Sequence, residues 1–362
     1  MSTKTNDKVK CVSCGRCLSF CPVFLATQQE EFSPKAKNQL IETLSNDNIS
    51  LDEGLVKRLA EMCVSCGRCS TVCPQGLSVA DRLGTLREKH PGWEQYLWDL
   101  WISKGDLFWP ALGTIGKALG ECQGKGRLSS IRAMAPFPKI STWIKVLKYD
   151  NSGQSKKVIF FPGCTAKRVR PEWVRKATIL LKNLGYAPIE QKMECCGGTL
   201  LSAGLSKSAL KSMRANIEAW RGADRPLLVS ACTSCIYNLA KYTEYRDLFR
   251  DSGECDQWDS SVCSLASLWK KTTFDISELP ASLRWHSPCH GSAFTEDHDW
   301  LRAITNGALV STQKPVCCGL GGVIQLSNHR LSEAISEKCW ESFACEKGTQ
   351  VVTGCSGCTI QL

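Results

Sequence analysis

Short apolar runs that end at proline, glycine or cysteine set the pattern of the second half of this chain. Lys156 to Phe161 (KKVIFF) turns apolar after two lysines and stops at Pro162-Gly163-Cys164. Pro226 to Ser230 (PLLVS) stops just before Cys232, Leu283 to His286 just before Pro288-Cys289, and Gln350 to Thr353 runs into Cys355. Unalternating runs of this length, bounded by turn residues, predict buried strands. Pro171 to Leu184 has the apolar spacing of a helix, with Pro171 suited to its first position and Gly185 to its stop. Strands that alternate with helices predict a parallel sheet in each of two copies. Open α/β sheets build their sites in loops at the carboxyl ends of such strands, and each copy has cysteines there.

The first part of the chain has a different pattern. Lys35 to Leu44 and Leu51 to Met62 have helical spacing, and Ser50 followed by Glu53 resembles a capping box for the second. Trp93 to Leu119 contains Trp93, Trp98, Trp101 and Trp109 but is broken by Asp99, Lys104, Asp106 and Pro110. It reads as packing between domains, with a docking surface for a partner or membrane subunit as the alternative. The polar run Asp150 to Ser155 reads as a flexible boundary. These breaks divide the chain into an α-helical unit (1–90), a Trp-rich connector (91–155) and two α/β units (156–280 and 281–362). The fold class is therefore α/β with an N-terminal α-helical domain and two repeated parallel-sheet domains.

Composition narrows the class. A chain of 362 residues, 43% hydrophobic and 22% charged, is ordinary for a soluble protein. Met1 to Lys10 is polar, so no signal peptide is expected, and no run of about 20 apolar residues predicts a membrane span. The expected location is the cytoplasm, with peripheral attachment at the inner membrane face as an option. The net charge of +10 has no nucleic-acid motif behind it; a solvated basic surface, or a face for an acidic redox partner, accounts for it.

The 23 cysteines change the picture most. In a chain with no export signal they suggest metal rather than disulfides. Cys11, Cys14, Cys17 and Cys21 form C-x2-C-x2-C-x3-C before Pro22, and Cys63, Cys66, Cys69 and Cys73 repeat it before Pro74. This is the ferredoxin spacing for two cubane 4Fe–4S clusters, in which the fourth cysteine of each run serves the other run's cluster. Cys11, Cys14, Cys17 and Cys73 are thus expected on one, and Cys63, Cys66, Cys69 and Cys21 on the other. The long insert between the runs favours an α-helical ferredoxin. Zinc sites want two cysteine pairs and explain a doubled eight-cysteine run poorly.

The α/β units carry a second pattern. Cys164, Cys195-Cys196-Gly197 and Cys232-x2-Cys235 recur as Cys289, Cys317-Cys318-Gly319 and Cys355-x2-Cys358. Adjacent cysteines followed by glycine let the backbone come close to a bulky group. Cys122, Cys255, Cys263, Cys339 and Cys345 fit neither pattern and read as structural. No G-x-G-x-x-G follows a strand, so electrons must come from, or go to, a flavoprotein, a ferredoxin or a membrane quinone or cytochrome subunit.

The paired C-x(n)-CCG-x(n)-CxxC pattern resembles the cysteine-rich CCG domain of the heterodisulfide reductases, and the N-terminal double run resembles their ferredoxin-type small subunit. The layout is also similar to the iron–sulfur subunits of glycolate oxidase, lactate utilisation and anaerobic glycerol-3-phosphate dehydrogenase. Ser33-Pro34-Lys35 matches the Ser-Pro-basic turn of those relatives. The resemblance implies one or two noncubane 4Fe–4S clusters. One would be held by Cys164, Cys195, Cys196, Cys232 and Cys235, the other by Cys289, Cys317, Cys318, Cys355 and Cys358. The sequence departs in one respect: 27 residues separate Cys289 from Cys317, against 30 between Cys164 and Cys195. The implied activity is cleavage of a small disulfide to two thiols at Cys195, Cys196, Cys317 and Cys318, with His290 as candidate proton donor. The alternative it implies is an electron-transfer subunit of a flavin-dependent 2-hydroxy acid or glycerol-3-phosphate dehydrogenase.

Overall fold

The computed structural model describes residues 9–44, 52–105, 143–151, 153–276, 278–291, 294–312, 316–322 and 324–362. The N-terminal unit is helical. Helix Pro34–Leu44 starts at the Ser-Pro turn, where Ser33 Oγ accepts from the Ala36 amide at 3.2 Å. Helix Glu53–Glu61 is capped by Asp52, whose carboxylate accepts from the Leu55 amide at 2.8 Å. The cap is therefore Asp52 rather than Ser50, which lies outside the described residues. Helix Val79–Lys89 is capped by Ser78. Val56, Ala60, Val79, Leu83 and Leu86 close a small core between these last two helices.

Two parallel sheets follow. Strands β2 (Lys157–Phe160), β3 (Ala187–Pro188), β4 (Leu227–Ser230) and β5 (Val262–Ser264) lie in the order β3-β2-β4-β5. Strands β7 (Ser282–His286), β8 (Leu309–Ser311) and β9 (Thr349–Thr353) lie in the order β8-β7-β9. All pairings within both sheets are parallel. In each sheet the first strand of the unit lies between the two that follow it.

Strand alternation sets the cores. Val158 and Val229 pack with Leu181 on one face of the first sheet. Ile159, Phe161 and Leu228 pack with Trp220, Trp258 and Met213 on the other. Fully burying a side chain of this size stabilises by roughly 1.5–3 kcal/mol, so the cysteine loops rest on a firm base. Helix Pro171–Asn183 begins at Pro171 and is followed by Gly185 at φ +82°.

Two features add to the sequence reading. The run Asp150–Ser155 is tied down where it is described: the Gly153 amide donates to Leu184 O at 3.1 Å and the Ser155 amide to Gly185 O at 2.7 Å. The connector also supplies strand β1 (Lys145–Lys148), antiparallel to β6 (Thr273–Asp275). Its helix Trp93–Ser103 turns Trp98 and Trp101 toward the core of the first α/β unit and leaves Trp93 exposed. Trp109 lies outside the described residues.

The N-terminal unit rests on both α/β units. Val23, Phe32, Met62 and Val64 pack with Ile324, Leu331 and Ile335 of the second. Helix Val79–Lys89 meets helix Gly198–Ser202 of the first so closely that a Cβ on Gly84 would lie 2.9 Å from Leu201 O.

Candidate iron–sulfur sites

The two ferredoxin-type runs share one backbone. Ser13 and Ser65 have φ of 55° and 51°, and Gly15 and Gly67 have φ of 73° and 69°. The left-handed turns at matching places wrap each loop around a concavity toward which its cysteines converge. Cys11, Cys14 and Cys17 line one pocket of about 400 Å³ together with Cys69 and Cys73. Cys63, Cys66 and Cys69 line another of about 340 Å³ together with Cys21. Each pocket thus receives the fourth cysteine of the opposite run. Pro34 of the Ser-Pro turn borders both. The buried Lys37 amine lies near Cys21 and donates to Phe32 O. Cys14, in the first pocket, is exposed.

Arg87 secures the second run from behind. Its guanidinium donates to the carbonyls of Ala60 (2.7 Å) and Cys63 (2.8 Å), to Ser65 Oγ (3.0 Å) and to Ser202 O across the unit boundary.

The α/β units bring their cysteines together at the strand ends. Eight of their ten motif cysteines are buried; Cys164 and Cys289 are half-buried. Cys164, Cys195, Cys196, Cys235 and Cys232 are successive neighbours. The succession crosses to the second unit at Cys355 and continues through Cys358, Cys318, Cys317 and Cys289. Cys289 in turn contacts Cys66 of the ferredoxin-type unit. Cys289 Sγ and Cys317 Sγ are 3.7 Å apart. Eleven thiols from all three units therefore form one row.

Within that row the thiols polarise one another. Cys196, Cys232, Cys289 and Cys318 are held below the ordinary thiol range by hydrogen bonds from neighbouring cysteines. Cys66, Cys235, Cys317 and Cys358 are pushed up by the same contacts. In the ferredoxin-type unit burial raises Cys69 to about 12.

These groups fit iron–sulfur clusters by their chemistry. The donors are soft thiolates, which match cluster iron. Among the described residues no cysteine is in a disulfide. Among the described residues no group of three or more His, Cys, Asp or Glu side chains is disposed around a single metal ion. The glycine after each cysteine pair has left-handed backbone, and the second is also needed sterically. Gly319 has φ +88°, and a Cβ there would meet Ser332 O at 2.5 Å.

Several supporting residues carried no sequence signal. Asn216, fully buried, accepts from the Glu194 amide (2.7 Å) and donates to Cys195 O (3.1 Å) and Tyr242 Oη (3.0 Å). Tyr242 Oη donates to Cys196 O at 3.1 Å. The second cysteine pair is held differently. Ser332 Oγ donates to Gly319 O at 2.9 Å, and Val316 O lies 3.2 Å from His286 Nε2. Paired hydroxyls cross the junction: Ser234 Oγ lies 3.2 Å from Cys355 Sγ, and Ser356 Oγ 3.2 Å from Cys232 Sγ. His290 stacks on Tyr237 with centroids 4.5 Å apart, and its Nδ1 lies 3.3 Å from Ser234 Oγ.

Comparison with known proteins agrees with this architecture. A 4Fe–4S dicluster domain matches residues 8–77, and the cysteine-rich domain matches residues 158–240 and 283–362. The chain belongs to the heterodisulfide reductase-like iron–sulfur proteins. It is 22% identical to the probable glycolate oxidase iron-sulfur subunit of Bacillus subtilis, over 98% of this chain and 88% of that protein. It is 23% identical to a subunit of the dihydromethanophenazine:CoB–CoM heterodisulfide reductase of Methanosarcina acetivorans, over 90% of this chain and 81% of that protein. It is 23% identical to a subunit of the anaerobic glycerol-3-phosphate dehydrogenase of Escherichia coli, over 62% of this chain and 59% of that protein. No solved structure matches. A member of this family is an iron–sulfur electron-transfer subunit of an oxidoreductase. Among the described residues no helix is long and apolar enough to cross a membrane.

Proposed function

We propose that this protein reduces a small disulfide to two thiols, taking its electrons from a separate redox partner. The observation that carries the reading is the meeting of the two five-cysteine groups, where Ser234 Oγ lies 3.2 Å from Cys355 Sγ and Ser356 Oγ 3.2 Å from Cys232 Sγ. A pure relay needs a path to one exit. Two complete groups facing each other suit a substrate that yields two sulfurs.

In this reading Cys11, Cys14, Cys17 and Cys73 hold one cubane and Cys63, Cys66, Cys69 and Cys21 the other. The two CCG groups hold one or two noncubane clusters. When bound, the clusters supply one-electron carriage and, at the CCG groups, iron able to receive sulfur. The protein's own residues do the rest. The helical unit (1–90) presents its first run, with the exposed Cys14, to the partner, and the connector (91–155) packs its helix Trp93–Ser103 on the first of the α/β units (156–280 and 281–362). Eight of the ten CCG cysteines are buried away from water. Disulfide plus two electrons and two protons gives two thiols, so protons must reach the junction. His290 Nδ1 and Ser234 Oγ form a path ending at Cys355. The protein works in the cytoplasm, with its partner in solution or at the inner membrane face.

A second reading has its own support. The similarity to the Bacillus glycolate oxidase subunit spans nearly the whole chain, which suits a relay from a flavin-dependent 2-hydroxy acid dehydrogenase. Purification without oxygen, a reduced viologen as donor and a panel of biological disulfides separate the two. Dye oxidation that depends on a disulfide, and disappears in Cys196→Ser and Cys318→Ser, is the expected result. Absence of turnover with every disulfide, in protein of full iron content, would overturn the reductase reading in favour of the relay.

A further inference from the structure

Both ferredoxin-type runs carry the same arginine, but only one of them is buried. Arg16 and Arg68 occupy matching places in Cys-Gly-Arg-Cys, and the glycines before them share a left-handed backbone. Arg16 is exposed. Arg68 is 8% exposed. Its Nη2 donates to Ser287 O at 3.3 Å and Val316 O at 3.1 Å. Ser287 stands two residues before Cys289, and Val316 immediately precedes Cys317. One guanidinium from the helical unit therefore grips both loops that present the facing thiols Cys289 and Cys317. The cysteines nearest its charge are Cys289, Cys317 and Cys66, which belong to two different cysteine groups.

Two neutral carbonyls do not require a cation. Burying a guanidinium is costly unless negative charge compensates it. As cluster ligands these cysteines would be thiolates and would supply negative charge, which grows when the cluster takes an electron. A fixed positive charge at low dielectric favours the more negative, reduced state of its neighbours. Arginine keeps that charge at any working pH.

We propose that Arg68 is a positioning residue that makes the second-run cluster and the second CCG cluster easier to reduce while holding the two groups in register. This rests on the reading that Cys63, Cys66, Cys69 and Cys21, and the Cys289 group, hold clusters. The buried arginine gives the second run its inward direction.

The test is a redox titration of the reconstituted full-length protein followed by electron paramagnetic resonance, with each signal assigned by its loss in a cysteine variant of its own group. In Arg68→Gln at full iron content, both neighbouring clusters should become at least tenfold harder to reduce, about 59 mV for a one-electron couple. The first-run cluster should not move, and Arg16→Gln should move none. Arg68→Lys keeps the charge without the fork and should recover most of the shift. Unchanged potentials in Arg68→Gln would overturn the proposal, as would Arg68→Lys shifting as far as Arg68→Gln. If Arg68→Gln loads no iron, Arg68→Lys decides: near-native potentials support the role of charge, and displaced ones overturn it. Wild-type protein that carries only two cubanes would overturn the CCG cluster reading, and Arg68 would then be judged by the second-run cluster alone.

Discussion

Ser234 Oγ lies 3.2 Å from Cys355 Sγ, so a hydroxyl of the first α/β unit bonds a cysteine of the second. Ser356 makes the converse contact with Cys232 at the same distance. Each hydroxyl thus satisfies a buried sulfur of the opposite unit. A hydrogen bond contributes about 0.5–1.5 kcal/mol, and more where its partner is charged. Ser234→Ala and Ser356→Ala should each lower thermal stability. The double variant should lose less than the sum if the junction opens as a unit. Differential scanning fluorimetry under anaerobic conditions measures this; two neutral single variants would show that the hydroxyls hold nothing.

Asn216 has a clearer energetic prediction. It is fully buried and its amide uses one acceptor and two donors on the Cys195-Cys196 loop and Tyr242. Asn216→Leu would strand the Glu194 amide and weaken the hold on Cys195 O. Each buried group left unpaired costs about 1–3 kcal/mol. The variant should unfold at markedly lower denaturant and bind iron poorly at the first CCG group while the ferredoxin-type runs load normally. Equal loading at every group would show that the loop does not depend on Asn216.

The cysteine groups and main strands were legible in the sequence because their signals are local. Two-residue gaps, CCG triplets and short apolar runs each lie within a single loop or strand. The strands β2, β4, β7 and β9 appear where apolar runs lead into cysteine loops. What the sequence did not reveal depends on distant pairing. Arg68 reaches Val316 across 248 positions, and the Cys66–Cys289 approach is a meeting of separate units. Strand β1 pairs with β6 although its four residues carry three exposed positions and no strong apolar pattern. Asn216 sits inside a helix whose spacing gives no hint of a loop held on its polar atoms.

The two CCG glycines should respond unequally to the same substitution. Both have left-handed backbone, φ +84° at Gly197 and +88° at Gly319. Alanine is strained by about 1 kcal/mol at either. At Gly197 the new methyl meets the flexible end of Met213 at 3.3 Å; at Gly319 it meets the Ser332 carbonyl at 2.5 Å. Gly319→Ala must therefore push its loop away from helix His329–Phe343. It should cost on the order of 2–4 kcal/mol, as overpacking does, and lose iron at the second group, while Gly197→Ala keeps most of its own. Equal iron loss in the two variants would contradict this.

Acid should act through Glu254, away from the cysteine loops. Its buried carboxylate receives Arg221 Nη2 at 2.6 Å and Arg225 Nη2 at 3.2 Å, and accepts from the Arg250 amide at 2.8 Å. The Arg221 hydrogen bond leads in holding its pKa at about 2, against 4.5 for an ordinary glutamate. A carboxylate depressed on folding stabilises the protein fully above its unfolded value and loses that contribution as pH falls toward the folded one. The window is therefore about pH 4.5 down to 2, and the contribution at neutral pH is at most about 3 kcal/mol. Glu254→Gln should be less stable than wild type at pH 7, and the gap should narrow as pH falls from 5 to 3. Acid damage to clusters affects both proteins and cancels in the difference. A stability gap that stays constant across that range would mean that Glu254 acts through packing and not through its charge.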